Sequence, residues 1–358
     1  MKKGRWIIIL LTFIIALTGC TKNETSGIAL ERYSATYLSL FDTVTSIVGY
    51  AESEEEFNTI TKQIHDEMLT YHRLYDIYNT YDGIVNLKNV NDNAGIAPVE
   101  VDQRIIDLIL FSKEIYKESN HKVNIALGSV LALWHEARED GLYDPLNAYL
   151  PDMDELIAGS KHCDLDKVIV DDDNNTVFFE DPNIRLDVGA IAKGYATQKA
   201  IENIDISLLI SVGGNVASTK SKPDGSPWVV GLQDTQKSEG NYKQKVILDK
   251  GAVVTSGDYQ RYYEVDGVQY HHIIDPDTLM PAKYWKAVSV IVPDSGVADG
   301  LSTALFLMNQ EDGQRLLDKY NGVALWTDKD GNEYKSNGFD SVIKTKAFSY
   351  TTNGHSPS

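Results

Sequence analysis

Residues 184–195, Ile-Arg-Leu-Asp-Val-Gly-Ala-Ile-Ala-Lys-Gly-Tyr, combine groups suited to a phosphate. An apolar stretch that reads as a strand ends in Asp187, a Gly-Ala turn follows, and a helix opens with Lys193 in its first turn. Such a turn aims free backbone N–H groups, a carboxylate and an ammonium at one point. The same turn also serves plain packing in many α/β proteins, so alone it does not define a ligand. Three later segments are dense in polar groups that a core would exclude. Ser211-Val212-Gly213-Gly214-Asn215 sets two glycines and an amide at a strand end. Thr255-Ser256-Gly257-Asp258-Tyr259 leads towards Tyr270-His271-His272-Ile273-Ile274-Asp275-Pro276. Ala298-Asp299-Gly300-Leu301-Ser302-Thr303 opens a helix with Asp299 and Thr303 one turn apart on a single face.

Each of these has a structural alternative. Asp299 could cap a helix, Thr303 could bond back to a carbonyl, His272 could be a satisfied core histidine, and the glycines could only make a turn. Two chemistries fit poorly. His271 and His272 are adjacent and on a strand would face opposite ways, which argues against a zinc site. No Gly-x-Ser-x-Gly elbow is present for a serine hydrolase.

The elements that must position these groups are legible in part. Residues 38–50 are β-branched and aromatic, hence a strand. Ser53 with Glu56 forms a capping-box pattern ahead of Phe57, Ile60, Ile64 and Met68 at helical spacing. Further helices are expected from Asp102, over Ser129 to Ala137, over Val297 to Met308 and over Glu311 to Tyr320. Strands are expected at Leu208–Val212, Trp228–Leu232, Lys245–Leu248 and Ala287–Val292. A hairpin is expected around the aspartate run 171–173, which lacks the spacing of a Ca²⁺ loop, and another around Asp328–Gly331. Mixed helices and hairpins, without repeats or an internal linker, place the chain in the α+β class as one compact body.

The N-terminus carries an address. Lys2, Lys3 and Arg5 precede the apolar run Trp6–Leu17, which is short for a membrane span, and Leu17-Thr18-Gly19-Cys20 follows. This resembles a bacterial lipoprotein signal, which implies a signal peptide over 1–19, cleavage before Cys20 and lipid on its thiol. Residues 20–35 read as the lipidated cysteine and a polar tether, 36–345 as one compact domain and 346–358 as a polar tail. Such an anchor would hold the protein on the extracytoplasmic face of the cell membrane. Formal net charge is −19, and losing the three basic leader residues makes the body more acidic still. No basic stripe exists for a nucleic-acid backbone, so nucleic acid is not an expected partner. An acidic protein with an anionic ligand instead suits a metal ion as mediator. Cys163 is the one cysteine besides Cys20, so an internal disulfide in the mature chain is not expected.

In order, Asp-Val-Gly-Ala-Ile-Ala-Lys-Gly-Tyr, Val-Gly-Gly-Asn, Thr-Ser-Gly-Asp-Tyr, His-Ile-Ile-Asp-Pro and Ala-Asp-Gly-Leu-Ser-Thr resemble the ApbE family of FAD:protein FMN transferases, often lipoproteins. The resemblance spans residues 36–345 and implies a T-fold-related body of mixed and antiparallel sheets with packed helices. It implies that FAD is a substrate, cleaved at its pyrophosphate with Mg²⁺. FMN would pass to a Thr or Ser hydroxyl of an extracytoplasmic acceptor, such as a redox protein, and AMP would leave. The implied metal ligands are the Ala190 carbonyl, the Asp299 carboxylate and the Thr303 hydroxyl, all hard oxygen donors. Implied nucleotide contacts are Asp187, Lys193, Ile273 on the His-Ile-Ile-Asp-Pro strand, Tyr78, Phe41, and Ala126-Leu127-Gly128, the last five in altered family wording. His272 is the candidate general base, because an imidazole titrates near neutrality, and Asp275 would orient it or cap the turn. Asp299 is carried as a catalytic residue through the metal. Two other outcomes use the same residues: a metal-dependent FAD pyrophosphatase, in which water attacks, and a surface lipoprotein that only binds flavin.

Overall fold

The chain enters the described fold on a hairpin, in a computed structural model whose described residues are 29–233 and 242–344. Strands β1 (Glu31–Leu40) and β2 (Thr43–Ala51) pair antiparallel across a two-residue turn. The single strand expected over 38–50 therefore breaks at Phe41 and Asp42, whose φ angles of 51° and 53° lie in the left-handed region. The tether expected to reach residue 35 also ends early, because Glu31 already pairs with Ala51. The leader, Cys20 and the tail 346–358 lie outside the described residues.

Next come α1 (Glu54–Tyr75), α2 (Leu87–Asp92), β3 (Val99–Glu100), α3 (Gln103–Glu118), α4 (Gly128–Tyr143) and α5 (Met153–Ser160). Strands β4 (Val168–Asp171) and β5 (Thr176–Phe179) form the expected acidic hairpin, completed by β3 as a small sheet. Then follow α6 (Ala192–Ile201), β6 (Leu208–Val212), β7 (Asn215–Ser218), β8 (Trp228–Gln233), β9 (Tyr242–Leu248), β10 (Gly251–Gly257), β11 (Tyr262–Val265) and β12 (Val268–His271). The chain closes with β13 (Ala287–Val292), α7 (Ser295–Phe306), α8 (Gln310–Lys319), β14 (Val323–Thr327) and β15 (Glu333–Lys335).

Eight strands form one sheet in the order β1-β2-β6-β7-β10-β13-β14-β15, with every pairing antiparallel. The class is α+β, as expected. Phe57, Ile64 and Met68 of α1, Ala196 of α6, and Leu301 and Leu305 of α7 pack on one face against Ile47, Ile210, Val254 and Val290. On the other face Trp228, Val230 and Leu248 of the β8–β9 hairpin meet Val253, Ile291 and Leu325. All six residues of β13 are buried, which is why it reads as a continuous apolar run. Each fully buried Leu or Ile side chain contributes about 1.5–3 kcal/mol, so this double cover holds the sheet rigid beneath α6 and α7.

A second, smaller core makes a lobe. Val130, Trp134 and Ala137 of α4, Leu156 of α5, Tyr263 of β11 and Leu279 pack together. Trp134 Nε1 donates to the Leu279 carbonyl (2.9 Å), tying α4 to the loop after β12. The segment 184–187 is extended but makes only an isolated bridge, Arg185 to Leu127, rather than the expected strand. Its backbone is held instead by a buried side chain: the Asn91 amide accepts from Leu186 N–H (2.8 Å) and donates to Leu186 C=O (3.0 Å). Side-chain pairing of this kind leaves no sheet signal in the sequence.

Candidate active site

The turn from Asp187 into α6 is built by the carboxylate at its start. Asp187 Oδ1 accepts the Gly189 N–H (2.9 Å), and the N–H groups of Ile191 and Ala192 both reach the Val188 carbonyl (3.0 and 2.9 Å). Lys193 folds back so that Nζ donates to the Gly189 carbonyl (3.2 Å) and lies 4.0 Å from Asp299 Oδ2. Gly194 is the third residue of α6, so its N–H is one of the first-turn donors with no partner inside the helix. It donates to Asp299 Oδ2 on α7 (2.8 Å). Among the described residues the Ala190 carbonyl, two residues before α6, receives no hydrogen bond.

This contact requires a glycine. A Cβ at Gly194 would overlap the Ser295 carbonyl oxygen and the Asp299 Cβ, so the Lys-Gly pair sets how closely α6 and α7 approach. Asp299 is only 5% exposed and sits in the second turn of α7, which opens earlier than expected, at Ser295, under an Asp294 cap. Asp299 therefore does cap a helix, but it caps α6 and not its own. Thr303 lies one turn further along α7. Ser302, not Thr303, bonds back to the Asp299 carbonyl (2.9 Å), and among the described residues the Thr303 hydroxyl has no hydrogen-bond partner. The carbonyl of Ala190, one oxygen of Asp299 and the hydroxyl of Thr303 are left as uncommitted oxygen donors. Among the described residues no cluster of three or more His, Cys, Asp or Glu side chains forms a metal site. The expected Mg²⁺ ligands contain one carboxylate, and that chemistry still fits a hard cation which retains waters and substrate oxygens.

The lobe supplies the facing wall. His272 follows β12, and both its N–H (3.1 Å) and its Nδ1 (3.2 Å) meet the Arg261 carbonyl. A carbonyl only accepts, so Nδ1 carries the proton and Nε2 presents a lone pair. Burial, reinforced by the charges of Arg261 and Lys193, pushes the His272 imidazole down to about 3, far from the neutral value expected of a base. His271 faces the other way: Nε2 bonds the Ala282 carbonyl (2.9 Å), and Nδ1 accepts from Ile273 N–H (3.2 Å). Ile273 lies on no strand, and its carbonyl also accepts from Ala282 (3.0 Å). Only the second lone pair of that carbonyl is left for the nucleotide contact expected of Ile273. Asp275 does not orient His272. It pairs with Lys122 (2.9 Å) and takes the Asp277 N–H (3.0 Å), which is the turn-capping role.

Tyr78 stands at the mouth, 61% exposed, on a loop braced by Asp76, whose Oδ1 accepts from the N–H groups of Tyr78 and Asn79 (2.7 and 2.9 Å). Its hydroxyl meets His135 Nδ1 of α4 (2.8 Å). Burial lowers the His135 imidazole, with Asp187 opposing and Arg138 assisting, so these groups share one field. His135, Arg138 and Arg261 were not singled out in the sequence. The i, i+3 spacing of His135 and Arg138 on an expected helix was the available signal.

Asp187, Ala190, Lys193, Asp299 and Thr303 are thus linked along α6 and α7, and the Lys193 and Asp187 charges act on His272 and His135 across the cleft. Among the described residues, no hydrogen bond joins the early residues to them. Phe41 turns onto His72, which accepts its N–H (3.2 Å) and meets its ring edge-on at 5.6 Å. Ala126, Leu127 and Gly128 are buried. Their N–H groups go to the Asn124 side chain (2.8 Å), the Asn124 carbonyl (3.1 Å) and the Arg185 carbonyl (3.1 Å). These bonds fix the backbone at the root of α4. Gly213-Gly214 makes the β6–β7 turn, both with positive φ, against Thr43 of the first hairpin.

Comparison with known proteins gives one answer at three levels. A sequence profile of the ApbE family matches residues 41–326. The FAD:protein FMN transferase of Treponema pallidum is 32% identical over 255 residues, covering 66% of this chain and 68% of that protein. That of Haemophilus influenzae is 25% identical over 362 residues, covering 97% of this chain and 100% of its own. The crystal structure of the ApbE protein of Thermotoga maritima superposes with a TM-score of 0.76 at 28% identity, over 88% of this chain and 100% of that one. The flavin transferase ApbE of Vibrio cholerae shares the fold, with a TM-score of 0.72 at 21% identity over 88% of this chain and 100% of its own. By its motifs, its fold and these matches, the chain belongs to the ApbE family.

Proposed function

We propose that this protein is a Mg²⁺-dependent FAD:protein FMN transferase that attaches FMN through a phosphoester to a Thr or Ser hydroxyl of an acceptor protein and releases AMP. The observation that carries this reading is the joining of α6 to α7 by the Gly194 to Asp299 hydrogen bond, with the Ala190 carbonyl just before α6 and the Thr303 hydroxyl one turn beyond Asp299 both unbonded among the described residues. Ala190, Asp299 and Thr303 would hold the ion, which would supply charge neutralisation at the diphosphate. Lys193 adds a fixed positive charge on the same wall. Phosphoryl transfer depends mainly on such positioning and electrostatics.

The acceptor hydroxyl oxygen forms a bond to the flavin-side phosphorus, and the bond from that phosphorus to the bridging oxygen breaks. The electron pair leaves with the AMP oxygen, and the hydroxyl proton passes to a base. His272 Nε2 is the candidate, with Nδ1 fixed by the Arg261 carbonyl. Burial, more than the charges of Arg261 and Lys193, makes its imidazole a weak base, and an anionic dinucleotide would offset the charge part as the substrate binds. Tyr78, open at the mouth, suits stacking on an aromatic ring of the substrate.

For location we propose lipid anchoring at Cys20 on the extracytoplasmic side, supported by the basic, apolar and small-residue pattern before that cysteine. No helix among the described residues is long and apolar enough to cross a membrane. The function is tested by incubating enzyme, FAD, Mg²⁺ and a candidate acceptor, then imaging flavin fluorescence in a denaturing gel. A fluorescent acceptor band supports transfer. Free FMN and AMP without a band, across acceptors carrying exposed Thr and Ser, would assign the pyrophosphatase outcome, and intact FAD would leave only binding.

A further inference from the structure

One short segment, Ser256 to Arg261, touches both the helix that carries Asp299 and the histidine that faces it. It leaves the end of β10 and runs to the start of β11. At its first residue, Ser256 Oγ meets Ser302 Oγ of α7 (2.8 Å). Ser302 gives its own proton to the Asp299 carbonyl, so Ser256 is the donor. That contact falls between Asp299 and Thr303 on α7. At the last residue, the Arg261 carbonyl accepts both the N–H and the Nδ1–H of His272 (3.1 and 3.2 Å). A single turn of chain thus joins the candidate metal ligands to the candidate base.

Asp258, 8% exposed, clamps this turn in its middle. Its N–H donates to the Lys286 carbonyl (3.0 Å), and its own carbonyl accepts from Gln269 Nε2 of β12 (2.7 Å). Its carboxylate pairs with Lys329 Nζ (2.7 Å), in the turn between β14 and β15. The carboxylate therefore closes the segment onto the sheet, while the backbone closes it onto the β11–β12 hairpin. His271, lowered chiefly by burial, also feels the Lys329 and Asp258 charges with opposite signs, so the pair lies close to the end of β12. Among the described residues Lys329 is the one cation within 4.0 Å of Asp258, and a buried carboxylate is costly to leave unpaired.

Resting on the transferase reading with His272 as base, we propose that Asp258 is a positioning residue for the transfer. Held by Lys329, it fixes the turn whose Arg261 carbonyl keeps the His272 proton on Nδ1 and leaves the Nε2 lone pair for the acceptor hydroxyl. Which imidazole nitrogen carries the proton is set by the hydrogen bond the ring makes, so the placement of that carbonyl decides the tautomer. Without the Asp258–Lys329 pair the carbonyl shifts, the ring no longer keeps one tautomer, and the fraction able to take the proton falls. FAD binding is not affected, because Asp258 acts only through His272.

The test compares whole wild-type protein with Asp258→Asn and Lys329→Gln, and with Lys329→Arg as the conservative control. Long-range ¹H–¹⁵N spectra of histidine-labelled protein near neutral pH read the tautomer, the His272 signals being those missing from His272→Gln. The wild type and Lys329→Arg are expected to show His272 as a single Nδ1–H tautomer. Asp258→Asn and Lys329→Gln are expected to show a mixture. Single-turnover transfer should fall by about 10–10²-fold in Asp258→Asn, and less in Lys329→Gln, with FAD affinity unchanged. Lys329 is exposed, so its variant keeps the test decisive if Asp258→Asn does not fold. A merely structural role would lower Tm and leave the tautomer as in the wild type. An unchanged tautomer in Lys329→Gln or in folded Asp258→Asn, or a rate loss explained by weaker FAD binding, would overturn the proposal. The spectra need no acceptor, which separates the two claims. Transfer by wild type with an unmoved tautomer in the variants sinks the positioning role alone, whereas no transfer with a tautomer that depends on Asp258 sinks the transferase reading alone.

Discussion

Burial, more than the nearby charges of Arg261 and Lys193, sets how His272 titrates and so its contribution to stability. An ordinary histidine titrates near 6.5, and in the fold this one is pushed down to about 3. The unfolded chain therefore binds a proton below about pH 6.5 that the folded chain refuses until about pH 3, so stability present above 6.5 is lost as pH falls through that window. His271 and His135 are lowered too and act with the same sign. The urea midpoint is expected to fall between pH 7 and 5, with a shallower fall in His272→Gln. For catalysis, His272→Ala is expected to slow single-turnover transfer at saturating FAD by about 10²–10⁴-fold, and an unchanged rate would assign the base elsewhere. The identities of Asp187, Lys193, Asp299 and Thr303 were legible because each sits in a motif of fixed wording. His135 was not, because a single histidine on an expected helix gives no sign of which distant residues it will meet.

At the level of elements, the site depends on two helices meeting at a glycine. Gly194→Ala is expected to destabilise the fold by about 1–3 kcal/mol in urea unfolding, as overpacked sites do, and to abolish transfer by displacing Asp299. Gly214→Ala serves as the contrast. Its φ of 94° carries backbone strain, but a Cβ there meets nothing within 4 Å, so its effect should be confined to stability. Long periodic elements such as α1 and α3, and the buried strand β13, could be read from apolar spacing. The first hairpin could not, because its turn residues are Phe41 and Asp42 and no glycine marks it. The β11–β12 hairpin was readable in principle: Asp266-Gly267 is a strong turn dipeptide, with φ of 51° and 76°. The 184–187 segment looked like a strand because it is apolar and extended, but Asn91, far away in sequence, supplies its partner.

The molecule as a whole places a rigid sheet body against a smaller lobe, with the candidate site between them. The body contributes Asp187, Lys193, Asp299 and Thr303; the lobe contributes His135, Arg138, Arg261 and His272. Polar links between the two include Tyr78 to His135 at 2.8 Å and Ser129 to the Asn183 carbonyl at 2.6 Å. A ligand touching both walls should therefore stabilise the whole fold. FAD with Mg²⁺ at a hundred times its Kd is expected to add about 2.7 kcal/mol, read as a rise in Tm, and EDTA or Asp299→Asn should remove much of it. This division was not visible in the sequence, which has no linker between the parts, because α4 and β11–β12 come from distant stretches that meet only in the fold.

The most direct measurement is an anomalous difference map from crystals soaked with Mn²⁺ and FAD. The expected result is a single strong peak at about 2.0–2.2 Å from the Ala190 carbonyl oxygen, an Asp299 carboxylate oxygen and the Thr303 hydroxyl, with diphosphate oxygens completing the shell. A cation bound elsewhere, or FAD bound with these three oxygens still bare, would contradict the assignment.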